Sequence, residues 1–508
     1  MKTATKTVAV SLLALSLFAQ PALAATANAG DLSIADQRNS ALNYLHDALQ
    51  KNSFHYTVGW PSVALYAAGE SVTASKWSNA DGTNGVTYRD SEVRRNVNLS
   101  DATTDFESTL LGLLAANQNP RAFGKKDFVQ AVLSSQRPDG KFADTIYGDG
   151  EDLLNAHIYG ILALYSAGVA IPNADKARDY LLSKQHADGG FNWSAGTGSN
   201  PDTTAFALIA MKALGLDAAN PSVQKALTYL KNIQNPSGGF SNEATDNPDS
   251  AATVLEALIS YGIDPKSYSK NGRDLFSFLK SFRTDNGGFA YTLGGDANAM
   301  TTQSVVMAYS DLLNNKTVFQ KLHDENAVKS ATWTPAFPDL PFSHPYYADD
   351  IKLANLGVMV GHTDGTYGTK EPVTREQFAK ILVSGAHLDD EVGAPTQQFS
   401  DVDVNGWANP YIAVALKHKL VYGTSTTTYN PLGEITGAEV MAILVRMLGP
   451  QYDQDAQSRP KTNWYDGYVS IAKEHNLLYP NFNVDKPATR AEVGYSFVRL
   501  YDDQLKTR

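Results

Sequence analysis

The chain has 508 residues, more than one ordinary core accommodates at about 100 to 200 residues per domain, so two or more folded units are expected. Its 53 acidic against 42 basic side chains give a net charge of -11, which argues against nucleic acid or an anionic membrane as partner, since both require a basic face. The absence of cysteine excludes disulfides, thiolate metal sites and cysteine nucleophiles.

The first 24 residues read as a secretory signal: Lys2 and Lys6 give a positive start, Val8 to Phe18 a short apolar run, and Ala22-Leu23-Ala24 a cleavage site. The mature chain is expected to start near Ala25. Nothing later approaches the roughly 18 consecutive apolar residues of a membrane helix, so no transmembrane segment is expected in the mature chain.

Between residues 30 and 320 the chain repeats. Phe142, Phe191, Phe240 and Phe289 close the segments QRPDGKF, QHADGGF, QNPSGGF and RTDNGGF, each 49 residues after the last. Such a period marks a supersecondary unit that buries its apolar face by stacking on its neighbours. In Asp202 to Gly215 the residues Phe206, Ile209, Ala210, Ala213 and Leu214 fall at helical spacing, and Gly215 stands where a C-terminal cap belongs. A more polar helix, PSVQKALTYLKNIQ, follows it. The pairing of an apolar inner helix with a half-polar outer one recurs at residues 155–168 with 174–185 and at 249–262 with 271–282. Earlier pairs are expected at 39–49 with 60–69, 91–99 with 103–116, and 125–136 with the His157 helix.

Six such hairpins wound in one direction close into a double-layered, all-α toroid. The glycines supply positive φ where the chain reverses, and each aromatic packs its turn into the gap between hairpins. The repeat, KQHADGGFNW above all, resembles that of prenyltransferases, squalene and hopene cyclases and transcobalamin-type binding proteins over residues 35–315. The resemblance implies the fold and leaves the chemistry open. Protein prenyltransferases use a zinc site with a cysteine thiolate, which this chain lacks. Triterpene cyclases protonate substrate from the middle carboxyl of Asp-x-Asp-Asp; in NPDTTA, Asp202 holds that place but Asn200 and Thr203 replace its acidic neighbours. Asp202 and Asp249 then read as helix N-caps.

The inner-helix starts also carry Tyr147, Asp149, Glu151, Asp152, Asn155 and His157, with Asp101, Asp105, Asp246 and Asp296, so one rim of the barrel is expected to be acidic. Asp149, Glu151, Asn155 and His157 are the candidate set for a glycosidase- or lyase-like toroid, although His157 lies two residues from Asn155 and points elsewhere on a helix. A solvated rim is the simpler reading.

Residues 321–336 look like a proline-rich linker. Beyond it a second period appears: FPDL at Phe337 and FSDV at Phe399 are 62 residues apart, as are VTREQF at Thr374 and ITGAEV at Thr436, and ATRAEV at Thr489 is a third, shortened copy. Each Thr-x-x-Glu or Thr-x-x-Gln is a capping box opening a helix. With GHTDGTYGTKEPVTREQ in the first copy, residues 337–508 resemble three surface-layer-homology (SLH) modules, at 337–390, 399–449 and 460–504. The resemblance implies a three-lobed helical unit that binds a pyruvylated secondary cell-wall polysaccharide. A guanidinium can pair with the ketal carboxylate and an aromatic face can support the sugar. The implied site residues are Arg375 and Arg490, with Trp407, Trp464, and the turn residues Gly361, Asp364 and Gly365. The second copy has Gly437 in place of the arginine, so unequal grooves are expected.

The expected protein is therefore secreted and held at the cell wall or S-layer of a Gram-positive-type bacterium, presenting the toroid as a binding module for a small apolar ligand or a surface protein. An extracellular enzyme of terpenoid-cyclase-like or polysaccharide-degrading type is the alternative, toward which the residues lean less. No cofactor and no metal are implied.

Overall fold

The computed structural model describes residues 32–97, 100–148, 150–194, 198–242 and 245–506; the secretory signal expected over 1–24 lies outside them. Among the described residues the toroid's outer helices are α1 (Ile34–Gln50), α3 (Gly85–Arg94), α5 (Phe128–Ser134), α7 (Ala174–Ser183), α9 (Pro221–Ile233) and α11 (Leu275–Ser281). They alternate with inner helices α2 (Trp60–Ala67), α4 (Thr103–Ala115), α6 (Leu154–Ser166), α8 (Pro201–Ala213), α10 (Pro248–Ser260) and α12 (Ala299–Asn314). Each inner helix packs on the next, and α12 packs back on α2, which closes the ring. The layers follow from composition: α9 buries one stripe, Val223, Ala226, Leu227, Tyr229 and Leu230, whereas nearly every residue of α10 is buried.

The repeated turn explains how the hairpins lock. Gly140, Gly189, Gly238 and Gly287 all have φ between 88° and 94°, a region that disfavours any side chain. A Cβ at these four would strike, in order, Lys176 and Ala177 of α7, Lys225 of α9, Arg273 and Asp274 just before α11, and Ser40 of α1. The fourth turn thus docks on the first helix, so the outer layer closes as the inner one does. Phe142, Phe191, Phe240 and Phe289 are fully buried. Three of their amides donate to side chains of the following inner helix, namely His157 Nδ1 (3.2 Å), Thr204 Oγ1 (2.9 Å) and Thr302 Oγ1 (2.8 Å).

Three expectations are corrected. The helix expected over 91–99 begins earlier, at Gly85, because Asn84 caps it by accepting from the amides of Val86 and Thr87, and it stops at Arg94. The helix expected from Asn271 begins at Leu275, since Ser269–Lys270 pairs with Arg273–Asp274 in a short hairpin and Asp274 is the cap. The linker expected over 321–336 is largely helical: α13 (Val318–Lys329) opens on a Thr317–Gln320 capping box and buries Val318, Phe319, Leu322 and Asn326. Its side chains meet carbonyls at the C-terminal ends of the inner helices. Lys321 Nζ donates to Tyr66 O (3.2 Å), Asn326 Nδ2 to Ser166 O (3.3 Å) and Gln320 Nε2 to Ser260 O (3.4 Å). The segment is a plug across that mouth, specified by the apolar stripe rather than by the prolines, which start only at Pro335.

The C-terminal unit pairs α14 (Tyr347–Asn355) with α15 (Arg375–Gly385), α16 (Asn409–Lys417) with α17 (Gly437–Leu448), and α19 (Asp466–Glu474) with α20 (Arg490–Lys506); α18 (Pro450–Ser458) is inserted before the third lobe. Thr374, Thr436 and Thr489 cap their helices by accepting from the amides three residues on. At the centre Ile435 N donates to Val373 O (2.9 Å), Ala488 N to Ile435 O (2.9 Å) and Val373 N to Ala488 O (3.0 Å), a cyclic triangle that makes the unit pseudo-threefold.

The toroid docks on the first lobe. Lys126 Nζ donates to Asn355 O (2.6 Å) and Ala354 O (2.9 Å) at the end of α14, Asp127 N to Asn355 Oδ1 (2.9 Å), and Tyr347 OH to Asp127 Oδ2 (2.5 Å). Arg121 completes the knot, bonding Asp127 at 2.9 Å and lying over the Phe342 ring at 4.1 Å. Burial depresses the Lys126 pKa to about 7.

Candidate functional site

The candidate rim residues divide. Asp149 lies outside the described residues. Glu151 is exposed; Asp152 is exposed and pairs with Arg137 at 2.5 Å. Tyr147 packs on His387 and Tyr501 of the C-terminal unit, at 5.0 and 5.9 Å between rings. His157 is buried, bridging Phe142 N and Ala177 O of α7, and burial lowers its pKa to about 4. It braces the outer layer and does not join Asn155, whose Oδ1 accepts from Ala156 N at the start of α6.

Asp202 and Asp249 are not the caps that the sequence suggested. Asn200 caps α8 by accepting from Thr203 N, and Asn247 caps α10 by accepting from the amides of Asp249 and Ser250. The reason is the proline between them. Pro201 and Pro248 take the first helical position, and the residue before a proline is held extended, as a cap must be. Asp202 and Asp249 are left in the first turn, partly buried at the mouth. Asp249 Oδ2 accepts from Thr301 Oγ1 of α12 (3.1 Å), and burial raises its pKa.

Inside the ring Trp60, Tyr159 and Phe206 form an aromatic group that the sequence reading missed. Tyr159 stands 5.4 Å from Trp60 and 5.3 Å from Phe206, and Phe319 of the plug lies 6.5 Å from Trp60. The first three are only partly buried although they sit within inner helices, so they line the lumen. Buried carboxyls surround it: Glu107, and the adjacent Glu256 and Asp311, all pushed well above the usual carboxylate range by burial. A carboxylate inside the apolar run TVLEALIS was the available signal for Glu256.

In the C-terminal unit the second helix of each lobe starts against the loop of the next lobe, so the pseudo-threefold generates three grooves. In the first, Arg375 bonds Tyr429 O, Tyr422 O and Glu439 Oε1, each at 2.9 Å. With Tyr422, Gly423, Glu439, Arg446 and Trp464 it lines a cavity of about 220 Å³. In the second, Gly437 replaces the arginine because a Cβ there would meet Asn483 O and Tyr479 OH. In the third, Arg490 donates to Tyr367 O and Val360 O, both at 2.8 Å, the pseudo-equivalents of Tyr429 and Tyr422. Trp407 and Trp464 are 51% and 53% exposed, which for indole rings leaves a broad face open to a ligand. Gly361 packs beneath Phe337, Asp364 accepts from the amide and hydroxyl of Thr366, and Gly365 has φ +95°. These three shape the loop beside Arg490.

Residues 148–257 match the family model for the squalene-hopene cyclase C-terminal domain, and residues 336–379 and 398–441 each match that for the S-layer homology domain. The chain thus carries S-layer homology domains beside a cyclase-type toroid. A stretch of 159 residues is 30% identical to the middle cell wall protein of Brevibacillus brevis, covering 30% of this chain and 14% of that one. Another of 177 residues is 36% identical to the S-layer protein of Bacillus licheniformis, covering 33% and 20%. The chain therefore spans a fifth or less of the length of these relatives. Solved structures with a similar course include Candida albicans protein geranylgeranyltransferase-I (12% identity, 57% of this chain and 98% of that one, TM-score 0.42). A type II terpene cyclase from Scytonema is another (13%, 56% and 98%, TM-score 0.40). Among the described residues no helix is long and apolar enough to cross a membrane.

Proposed function

We propose that this is a secreted surface protein held without covalent bonds to the wall of a Gram-positive-type bacterium, its three lobes binding a pyruvylated wall polysaccharide and its toroid displayed as a binding module. The observation that carries the reading is the pair of arginine grooves, in which Arg375 and Arg490 sit in the same pocket of backbone carbonyls with Trp464 and Trp407 exposed nearby. A planar guanidinium and an indole face are the groups that hold an acidic sugar. The S-layer homology matches in the first two lobes, and relatives named as cell-wall and S-layer proteins, support it; the third lobe, built on the same cap and the same carbonyl pocket, is read as a third module. For the toroid, the aromatic lining of Trp60, Tyr159 and Phe206 favours an apolar ligand, and Asp202 without acidic neighbours disfavours proton-initiated cyclisation. The test is co-sedimentation of the full chain with purified walls. Binding that is lost after mild acid removal of the ketal-linked pyruvate is expected; equal binding to stripped walls refutes the reading.

A further inference from the structure

The three grooves share one geometry and differ in charge. In the first, Arg375 is neutralised by Glu439 at 2.9 Å and Arg446 by Asp453 at 3.3 Å. The second lacks the arginine, and its Arg499 is paired with Asp349 at 2.6 Å. In the third, Gln377 stands where the other lobes place Glu439 and Glu492, so Arg490 bonds carbonyls, lies over the Tyr367 ring at 5.2 Å and has no ion pair among the described residues. Asp350, which lies close enough to interact with Arg490, is buried, and that burial holds it toward its neutral form. Lys380 of the same helix lies 5.9 Å from the Trp407 ring.

A third cation comes from the toroid. The hairpin turn at 123–126 puts Gly124 and Lys125 at φ of 60° and 62°, an uncommon conformation for lysine. Its two lysines then diverge. Lys126 is buried on the carbonyls of α14, and Lys125 Nζ donates to His362 O at 2.6 Å, on the loop two residues from the Val360 carbonyl that holds Arg490. His362 is the counterpart of Thr424, which lines the first groove. Three carboxylates share this loop, and each is already engaged by it: Asp339 accepts from the amides of Tyr367 and Gly368 at 2.7 Å, Asp364 from Thr366 at 2.9 Å, and Glu371 lies against His362 at 2.9 Å.

We propose that the third groove is the anion-binding groove of this protein and that the toroid completes it, Lys125 joining Arg490 and Lys380 around the acidic group of a bound saccharide. The proposal rests on the acidic-glycan reading of the lobes. It gives the docked interface a role: burying Lys126 fixes the turn, so the Lys125 charge is positioned before the ligand arrives. It also couples wall binding to the orientation of the toroid.

The experiment is calorimetric titration of the full chain with a methyl hexoside bearing a ketal-linked pyruvate, at two salt concentrations. Melting curves verify that each variant is folded. Lys125→Met is expected to weaken binding about threefold to tenfold and flatten its salt dependence, and Gln377→Glu to weaken it more than about tenfold. Lys184→Met, a charge loss on the toroid surface, controls for net charge. Lys125→Met binding as tightly as Lys184→Met overturns the proposal. So does tighter binding by Glu439→Gln with no effect of Gln377→Glu, which moves the site to the first groove. A parent chain that binds neither the glycoside nor walls refutes the underlying glycan reading instead.

Discussion

In the toroid, closure runs through side chains: α12 packs on α2 through apolar contacts, and the Gly287 turn seats against Ser40. In the C-terminal unit it runs through the backbone, the amides and carbonyls of Val373, Ile435 and Ala488 forming a triangle. Both devices leave no terminal repeat with an unpaired face, which open repeat arrays must cap. The materials differ because the spaces they enclose differ. An apolar ring encloses a lumen, and burial there pushes carboxyls such as Glu256 and Asp311 toward their neutral form. The triangle has no lumen, and its pockets lie outside between lobes, where Arg375 and Arg490 bond backbone carbonyls.

The largest expected effect on that contrast comes from Phe240→Ala, which opens a cavity in one toroid turn and should destabilise the toroid by about 3–5 kcal/mol. Calorimetry should show its transition falling while that of the lobes holds; a fall in both together would mean the two units melt as one. Next is Ala488→Pro, which deletes one donor of the triangle and should cost about 1–3 kcal/mol, read as a lower lobe transition with the toroid transition unmoved.

The pH dependence should separate the regions by sign. Glu107, Glu256 and Asp311 have folded pKa values raised above the unfolded ones, so the folded toroid holds extra protons and loses stability as pH rises above about 4. Lys126 is the reverse case. With a folded value of about 7 against about 10.4 unfolded, the unfolded state holds the extra proton, and docking should strengthen as pH rises from about 7 to 10. Melts from about pH 4 upward should flatten for the toroid in a Glu256→Gln, Asp311→Asn variant, and between about pH 7 and 10 the docking term should lose its slope in Lys126→Met. The smallest effect tests the caps. Asn200→Ala should cost about 1 kcal/mol, and Asp202→Asn less than about half that, because only the first removes the bond to Thr203 N. Equal costs would restore Asp202 as the cap.

The 49-residue recurrence of glycine and phenylalanine determined the toroid from sequence alone, because a φ near +90° and a buried ring are demands that few residues satisfy. The Thr-x-x-Glu boxes likewise placed the lobe helices, since a cap is a contact within four residues. Tertiary structure decided the rest. Whether His157 faces the lumen or α7 depends on which neighbour supplies a partner for its nitrogens, and that neighbour is Ala177, 20 residues on. The plug α13 sits where it does because it finds carbonyls at the ends of helices up to 255 residues away. The inequality of the arginine grooves is set by Glu439, which meets Arg375 only once the lobes have closed into a ring, and by Gln377, which holds the matching position in the Arg490 groove. A charge's meaning depends on what stands within a few ångströms of it, and here those neighbours come from other repeats.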